Sequence, residues 1–366
     1  MPNPVRTFWG RVSDGIAIQQ LWAQLRADAR ASYQLYAEEV DWTRRAGEPA
    51  PKRWFRVSRG LFWAMIMKLS PGRRVLLLAA LAFLLCPGST ARYGEDEAQL
   101  PNLVPLGALA LVVLLALELA DRVTLKRDLE IAREIQSWLM PAAAPHTPGV
   151  DIAFATRPAN TVAGDYYDAF FRQERLLLVV ADVAGKSVPA ALLMATLQAS
   201  LHTLAALPGS LVELVGRLNR YACAQNLGGH RFTTAFLAEL DPVDGRLTYV
   251  NAGHNWPMLR RPAGSVERLE AGGLPLGIRA EAAYECGATT LGPGDLLLIF
   301  TDGLVEAEDE KAQEYGEGRV LDVIGSVGEA GASETLKRVM SSADAFVGLT
   351  RQHDDITCLV LRKLPS

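Results

Sequence analysis

The sequence predicts an α+β domain behind a helical N-terminal third, and three observations lead to this prediction. From Val150 onward the chain contains short apolar runs of strand length. Helical stretches are inserted between these runs in blocks, whereas a parallel βαβ fold alternates single strands with single helices. Before Val150 the apolar runs are longer, and the segments around them have helical periodicity.

Length and composition limit the function classes. The chain has 366 residues, of which 49% are hydrophobic, so we expect two or more compact units. Its formal net charge is −4, whereas a nucleic-acid-binding protein normally carries a strongly basic face. The four cysteines are far apart and form no CxxC pair, which argues against a zinc knuckle or a disulfide framework. The composition favours the reducing cytosolic side of a cell.

Residues 1–70 form the first predicted unit, a helical region rich in tryptophan and arginine. Five of the seven tryptophans lie there, and residues 15–40 have the pattern of an amphipathic helix. Such helices pack on one another or lie on a membrane surface. No chemistry is indicated in this region, and residues 1–10 lack the apolar segment of a cleavable signal peptide.

Residues 71–120 are predicted to form a transmembrane hairpin. Apolar runs at 75–86 and 104–120 have basic residues on their outer flanks and an acidic connection between them. By the positive-inside rule, both ends face the cytoplasm and residues 92–99 lie outside the cytoplasmic membrane. A full crossing needs about 20 apolar residues, so the first run recruits residues 87–91 or thins the bilayer. A buried soluble hairpin is the alternative, although hydrophobicity on all helix faces favours the membrane.

Residues 121–145 are predicted to be a linker helix. Its apolar residues, with one polar residue among them, recur at alternating spacings of four and three, at Leu125, Leu129, Ala132, Gln136 and Leu139. This spacing is typical of a short coiled-coil seam that would join two chains in a homodimer. An amphipathic helix docked on the following domain has the same pattern. Prolines from residue 141 onward end the helix.

Residues 146–366 are predicted to form the α+β domain. Six apolar runs read as strands, at 152–158, 175–182, 233–240, 246–252, 295–302 and 355–361. Helices are predicted in two pairs, at 189–206 with 211–224 and at 318–325 with 333–346.

The segment VVADVAGKSVPAALLM, residues 179–194, resembles part of a phosphate-binding P-loop. However, Val180 stands where the P-loop requires glycine. Asp182 would also repel a nucleotide's phosphates unless cations lay between them. An aspartate at the end of a buried strand therefore needs another explanation.

Aspartates recur at four sites in this domain, three of which adjoin an apolar strand: Asp165, Asp182, Asp302, and the pair Asp354 and Asp355. One such aspartate is usually a turn former. If the sheets bring these ends together, ionised carboxylates need counterions, and Mg²⁺ or Mn²⁺ are the oxygen-seeking partners. Histidines and cysteines are not grouped for zinc. The pattern therefore predicts a carboxylate-based metal centre.

Seven motifs in order, between residues 132 and 362, resemble the SpoIIE/RsbU branch of the PPM metal-dependent protein serine/threonine phosphatases. They are AREIQSWLMP, VAGDYYD, VADVAGKSVPAALLM, TTAFLAELDPVDGRLTYVNAGHNWPMLRR, GGLPLGI, LGPGDLLLIFTDGLVEA and HDDITCLVLR. The resemblance implies an αββα sandwich, two sheets flanked by helices, with two Mn²⁺ or Mg²⁺ ions in a cleft at one edge.

The resemblance also implies roles for single residues. The metal ligands would be four aspartates, Asp165, Asp182, Asp302 and Asp354, with Asp182 bridging both ions. Val183, where the family often has glycine, would offer its backbone carbonyl. Asp168 and Asp355 would support the ligands without binding the ions; Asp355 stands where relatives often have asparagine.

No catalytic side chain is expected, because water activated by two ions can attack phosphorus in line. We expect Lys186 to be a surface cation and Gly185 to permit the turn after Asp182. His254, in the NAGHN block, is expected to be a structural turn residue, since nothing in the sequence places it near the metals. No arginine is identifiable as a phosphate clamp.

The implied function is hydrolysis of phosphoserine or phosphothreonine on a regulatory partner protein, of the anti-sigma-factor antagonist type. In the family the linker helix and the helices after the ADVAGKS loop resemble a switch. One alternative is a catalytically weak or inactive membrane-anchored PPM-fold binding module, which would be expected to lack a ligand. A Ca²⁺-binding adaptor would instead cluster its ligands in one loop.

Overall fold

The computed structural model describes residues 50–88, 90–93, 96–99, 101–185, 187–225, 231–348, 350 and 352–365. The chain divides into two compact units, residues 1–124 and 125–366. The helices predicted within residues 1–49 lie outside the described residues.

The described part of the first unit consists of helices and one hairpin. Its elements are α1 (Ala50–Lys68), α2 (Pro71–Leu84), β1 (Thr90–Tyr93), β2 (Asp96–Gln99) and the first part of α3 (Val104–Leu139). Ser70 has extended backbone angles and Pro71 begins α2, as is usual for proline in a first helical turn. A side chain at Gly107 would lie 2.8 Å from the carbonyl oxygen of Ala80, so glycine lets α2 and α3 approach closely.

Two of the described helices are long and apolar enough to cross a membrane by length and composition, α3 and α4 (Val188–Ala205). Helix α4 buries Met194 and Leu201 in the core of the second unit, which identifies it as a core helix. Helix α2 has 14 residues, or about 21 Å. It does not recruit residues 87–91, because the chain leaves the helix after Leu84 and is extended from Thr90.

The second unit is a sandwich of two sheets. The first sheet contains β4 (Tyr166–Arg172), β5 (Arg175–Val183), β6 (Thr233–Leu240), β7 (Arg246–Ala252), β10 (Gly272–Gly273) and β11 (Gly287–Thr290). Its order is β10-β7-β6-β5-β4, with β11 also pairing with β7. The second contains β3 (Val150–Arg157), β8 (Met258–Arg260), β9 (Val266–Arg268), β12 (Leu296–Phe300) and β13 (Ile356–Lys363), in the order β3-β13-β12-β8-β9.

Helices cover the outer faces of both sheets. Helix α4 and α5 (Leu211–Gln225) pack on the first sheet, while α7 (Gly316–Ser326) and α8 (Ala332–Val347) pack on the second. The short helix α6 (Asp302–Val305) follows β12. This arrangement confirms the αββα sandwich. All six predicted strands and all four predicted helices of this unit are present, whereas β4 and the short strands β8 to β11 were not predicted.

Strand alternation determines which side chains enter the space between the sheets. In β5, Leu176, Leu178 and Val180 face the inter-sheet core, and the residues between them face α4 and α5. Because side chains alternate along a strand, Asp182 continues the inter-sheet series at the end of β5. In β13, Leu359 faces the inter-sheet core. By the same alternation, Thr357 and Asp355, which directly precedes the strand, lie on that side.

Arg172, at the end of β4, attaches the α4–α5 turn to the first sheet. Its guanidinium group pairs with Glu239 of β6 and donates to the backbone carbonyls of Ala205 at 3.1 Å and Gly209 at 2.8 Å. Both charged side chains are buried. Arg175 reaches the same carboxylate at 3.6 Å but is half exposed.

We expect Arg172→Met to lower the free energy of unfolding by about 3 kcal/mol or more, because it leaves the buried Glu239 carboxylate without its main partner. The matched change Arg175→Met should cost less than about 1 kcal/mol, since the Arg175 side chain is half exposed and lies 3.6 Å from a carboxylate that keeps Arg172 as its partner. Urea unfolding of both variants measures the difference. Equal costs would show that Arg172 is not the main partner of Glu239.

Candidate metal centre

Strand register brings two pairs of predicted ligands to the same edge of the sandwich. In the first sheet, Tyr166 pairs with Ala181, which places Asp165 beside Asp182. In the second sheet, Phe300 at the end of β12 pairs with Cys358 near the start of β13. The residues just beyond these strand ends, Asp302 and Asp354, therefore adjoin one another.

Asp165 joins the two sheets. Its side chain is 1% exposed, and Oδ2 accepts a hydrogen bond from the Thr301 hydroxyl at 2.9 Å. Burial raises the pKa of Asp165 well above its usual range, and the neighbouring charge of Asp182 raises it further. The hydroxyl that follows β12 of the second sheet thus fixes the carboxylate that precedes β4 of the first sheet.

Asp182 lies among the other acidic residues. Burial raises its pKa from the ordinary 3.8 to about 7, and the charges of Asp302 and Asp354 add to the rise. A hydrogen bond with the Asp165 side chain acts in the opposite direction and lowers the pKa of Asp182 in part. Each of the other three predicted ligands therefore lies close enough to Asp182 to shift its pKa.

Asp302 and Asp354 lie where two short segments touch. Asp302 is the first residue of α6, and Gly303 follows it directly against the carbonyl oxygen of Asp355. A side chain at Gly303 would overlap that oxygen, so glycine is required for the two segments to approach. The Asp354 carboxylate accepts from the backbone amide of Asp355 at 2.9 Å.

Asp355 holds the loop before Asp165. Its two carboxylate oxygens accept from the backbone amides of Ala159 and Gly164, each at 2.7 Å. Burial raises its pKa, and these two hydrogen bonds act against the rise. Both oxygens of Asp355 thus fix the backbone of the segment that leads to Asp165.

Asp168 is not brought to the acidic cluster. It lies on the face of β4 that packs against α4, where its Oδ2 accepts from the Tyr166 hydroxyl at 2.6 Å. The imidazole Nε2 of His202 is 2.7 Å from the same oxygen. The family motif contains Asp165 and Asp168 together, but strand alternation turns them to opposite faces. This separation was missed because β4 was not predicted from the sequence.

The loop after Asp182 makes a sharp turn into α4. The Val183 carbonyl lies against Gly164, where an added side chain would be 3.2 Å from its oxygen. Gly185 has φ of 122°, in the region that favours glycine, as expected. Ser187 has φ of 64° and precedes α4 directly. Lys186 lies outside the described residues.

Sequence reasoning placed Gln136 in a coiled-coil seam, but its side chain contacts the loop that precedes Asp165. Its amide nitrogen donates to the carbonyl of Ala163 at 2.7 Å, and its oxygen accepts from the Ala163 amide at 3.0 Å. Ala163 lies two residues before Asp165. A polar residue in an otherwise apolar seam was the signal that this position makes a specific hydrogen bond.

The donor set fits hard divalent cations. All four predicted side-chain ligands are carboxylates, and burial together with mutual repulsion raises the pKa of Asp165 and Asp182, a cost that bound cations would offset. In the part of the chain that the structure describes, no three His, Cys, Asp or Glu side chains already stand close enough to enclose an ion. Binding would therefore draw the carboxylates together.

Comparisons of sequence identify the family of this chain. The chain matches the family described as Stage II sporulation protein E (SpoIIE) over residues 172–364. Among curated proteins, it is similar to the phosphoserine phosphatase RsbU of Bacillus subtilis (strain 168). The two are 30% identical over 242 residues, which cover 65% of this chain and 71% of the relative.

Comparisons of structure agree with the fold. The SiaA-PP2C domain of Pseudomonas aeruginosa superposes with a TM-score of 0.61 at 21% identity, covering 66% of this chain and 98% of that domain. The RsbU and RsbW domains of a Mycobacterium tuberculosis protein superpose with a TM-score of 0.54 at 28% identity. The match covers 62% of this chain and 64% of that chain. The chain therefore belongs to the SpoIIE family, in the RsbU-type branch of the PPM serine/threonine phosphatases.

Proposed function

We propose that this chain hydrolyses phosphoserine or phosphothreonine on a phosphorylated regulatory protein, of the anti-sigma-factor antagonist type, with two Mn²⁺ or Mg²⁺ ions. One observation carries the proposal: four aspartates from two sheets lie at one edge, and the pKa of Asp182 is raised to about 7 by burial and by its neighbours. Such a cluster is costly unless cations bind to it. The name of the RsbU relative, a phosphoserine phosphatase, supports the same substrate class.

In this proposal the chain supplies the carboxylates that would hold the ions. The ions would be held by the carboxylates of Asp182, Asp165, Asp302 and Asp354, together with the backbone carbonyl of Val183. Bound divalent ions supply an activated water and neutralise charge on the phosphoryl oxygens. Thr301 and Asp355 hold their neighbours in place, so that little reorganisation accompanies phosphate binding.

The alternative, an inactive binding module, is disfavoured because each of the four ligand positions carries an aspartate. We also propose that α2 and α3 anchor the chain to the cytoplasmic membrane, with the phosphatase domain in the cytoplasm. The length and apolar composition of α3 support this proposal. A crossing by the shorter α2 requires local thinning of the bilayer.

We propose that the linker part of α3 controls the metal centre and pairs two chains. Gln136 links this helix to the loop that precedes Asp165, while the stripe of Ile131, Ile135 and Trp138 remains exposed. A small movement of the helix would displace Asp165, and metal ligands tolerate little displacement. Docking and dimer formation then use different faces of the same helix.

Asp182→Asn should abolish Mn²⁺-dependent phosphate release from phosphoserine peptides by the full-length chain, by roughly a hundredfold or more, because a bridging ligand matters more than residues behind the ligands. Asp322→Asn, at an exposed aspartate of α7, is the matched control and should retain activity. Circular dichroism checks that both variants are folded. Normal turnover by folded Asp182→Asn would rule out the two-ion centre.

In EDTA, Asp182→Asn should be more stable than the wild type. The pKa of Asp182 rises from 3.8 to about 7 on folding. The folded state therefore binds more protons than the unfolded state in this window, and the free energy of unfolding falls as pH rises through it. At pH 7.5 the variant should melt at least about 2 °C higher, the shift produced by about 1 kcal/mol in a domain of this size.

The difference should shrink at pH 5, where the folded wild type carries a proton on Asp182. Added Mn²⁺ should reverse the order at pH 7.5, because only the wild type binds it tightly. An Asp182→Asn protein less stable than wild type in EDTA at pH 7.5 would contradict the repulsion on which the proposal rests.

Gln136→Met should raise the Mn²⁺ concentration for half-maximal activity several-fold, since it removes two hydrogen bonds worth about 1 kcal/mol each and keeps the helix. Glu134→Met, on the exposed side of the same helix, is the control. Phosphate release measured against Mn²⁺ concentration distinguishes the two. An unchanged requirement in Gln136→Met would mean that the helix is only a tether.

A further inference from the structure

His254 is buried where the chain crosses from the first sheet to the second. It follows β7 of the first sheet and precedes β8 of the second. Only 5% of its surface is exposed. A buried imidazole at a crossing between sheets can contact both of them, which an exposed turn residue cannot do.

A tight turn delivers the imidazole into the interior. The Asn251 side-chain oxygen accepts from the backbone amide of His254 at 2.7 Å. Gly253 has φ of 68°, and a side chain there would overlap Pro275. Three residues of the NAGH sequence thus have distinct roles: asparagine closes the turn, glycine allows it, and histidine points inward.

The ring lies between a hydroxyl of one sheet and the backbone of the other. Its Nδ1 is 3.0 Å from the Thr234 hydroxyl of β6. The backbone of Phe300 in β12 acts on the ring as a hydrogen-bonding group. Nε2 is buried and has no partner of full hydrogen-bond geometry among the described residues. Burial lowers the pKa of His254 to about 4, so the ring is neutral at physiological pH.

Both neighbours of the ring adjoin the acidic cluster. Thr234 stands directly opposite Asp182 in the pairing of β5 with β6. Phe300 is followed by Thr301, which donates to Asp165, and then by Asp302. The ring therefore lies between β6, which pairs with the strand of Asp182, and β12, which is followed by Asp302.

A neutral imidazole suits this position because it donates at one nitrogen and accepts at the other. With the proton on Nε2, the ring donates toward the Phe300 carbonyl and its Nδ1 accepts from the Thr234 hydroxyl. A small movement of β12 toward the ring would complete the first of these bonds. Binding of ions between the sheets would favour such a movement, because it draws the aspartates of both sheets together.

We propose that His254 is a positioning residue that couples β6 to β12 and thereby sets the spacing between Asp182 and Asp302 for metal binding. The inference rests on the proposed metal-dependent function. It assigns no proton transfer to His254, whose contacts are Thr234 and the Phe300 backbone. A residue that only filled space would affect folding stability and leave the affinity for metal unchanged.

The experiment measures Mn²⁺ binding to the full-length chain by isothermal titration calorimetry without substrate, together with thermal unfolding in EDTA. His254→Phe keeps the ring volume and removes both polar contacts, while Thr234→Val removes the hydroxyl alone. His254→Asn retains a polar group at the position of Nδ1. Thr248→Val is the matched control, because Thr248 lies in β7 opposite Glu239, away from the cluster.

We expect His254→Phe and Thr234→Val each to weaken Mn²⁺ binding about tenfold, which corresponds to about 1.4 kcal/mol. The double variant should be little weaker than either single one, because both changes remove the same coupling. His254→Asn should fall between wild type and His254→Phe, and Thr248→Val should bind as wild type does.

Three results would overturn the inference: unchanged Mn²⁺ affinity in folded Thr234→Val, fully additive effects in the double variant, or a loss of affinity in Thr248→Val equal to that in Thr234→Val. If His254→Phe does not fold, Thr234→Val and His254→Asn still decide the matter. Absence of Mn²⁺ binding by the wild type would refute the proposed function itself, a result distinct from these three.

Discussion

The burial of several neighbouring carboxylates, which also repel one another, is the constraint on which the rest of this domain depends. Burial and neighbouring charge both raise the pKa of Asp165 and Asp182, so the fold holds these groups together at a cost in stability. Active sites commonly have this property, because the energy stored in the free protein is recovered when the natural ligand binds. The remainder of the sandwich must compensate for that cost.

The compensation comes from polar groups that are fully paired. Asp355 fixes two backbone amides, Thr301 fixes Asp165, and Arg172 attaches the α4–α5 turn to the first sheet. Each contact joins segments that are far apart in sequence. Together they hold the strand ends while the large apolar cores on both sides of each sheet provide most of the stability. The buried carboxylates at this edge can then lower the free energy of unfolding without unfolding the domain.

Local pattern was sufficient for the long elements, because their apolar runs are visible in sequence. It was insufficient for β4, where Asp168 and Arg172 interrupt the apolar pattern. Their side chains are paired with His202 and Glu239, which lie 34 and 67 residues away along the chain. Likewise, Thr301 reaches Asp165 across 136 residues. Such partners depend on sheet order, which a single sequence does not reveal.

The position of β13 between β3 and β12 also affects how the protein is made. Thr156 and Thr357, which face each other across β3 and β13, are 201 residues apart. At about 5–20 residues per second, a ribosome takes on the order of 10–40 s to synthesise that interval. During this time β3 has no partner in its sheet, and Asp354 does not yet exist. The nascent chain must therefore keep β3 from pairing wrongly, and its four aspartates can meet only after β13 has emerged.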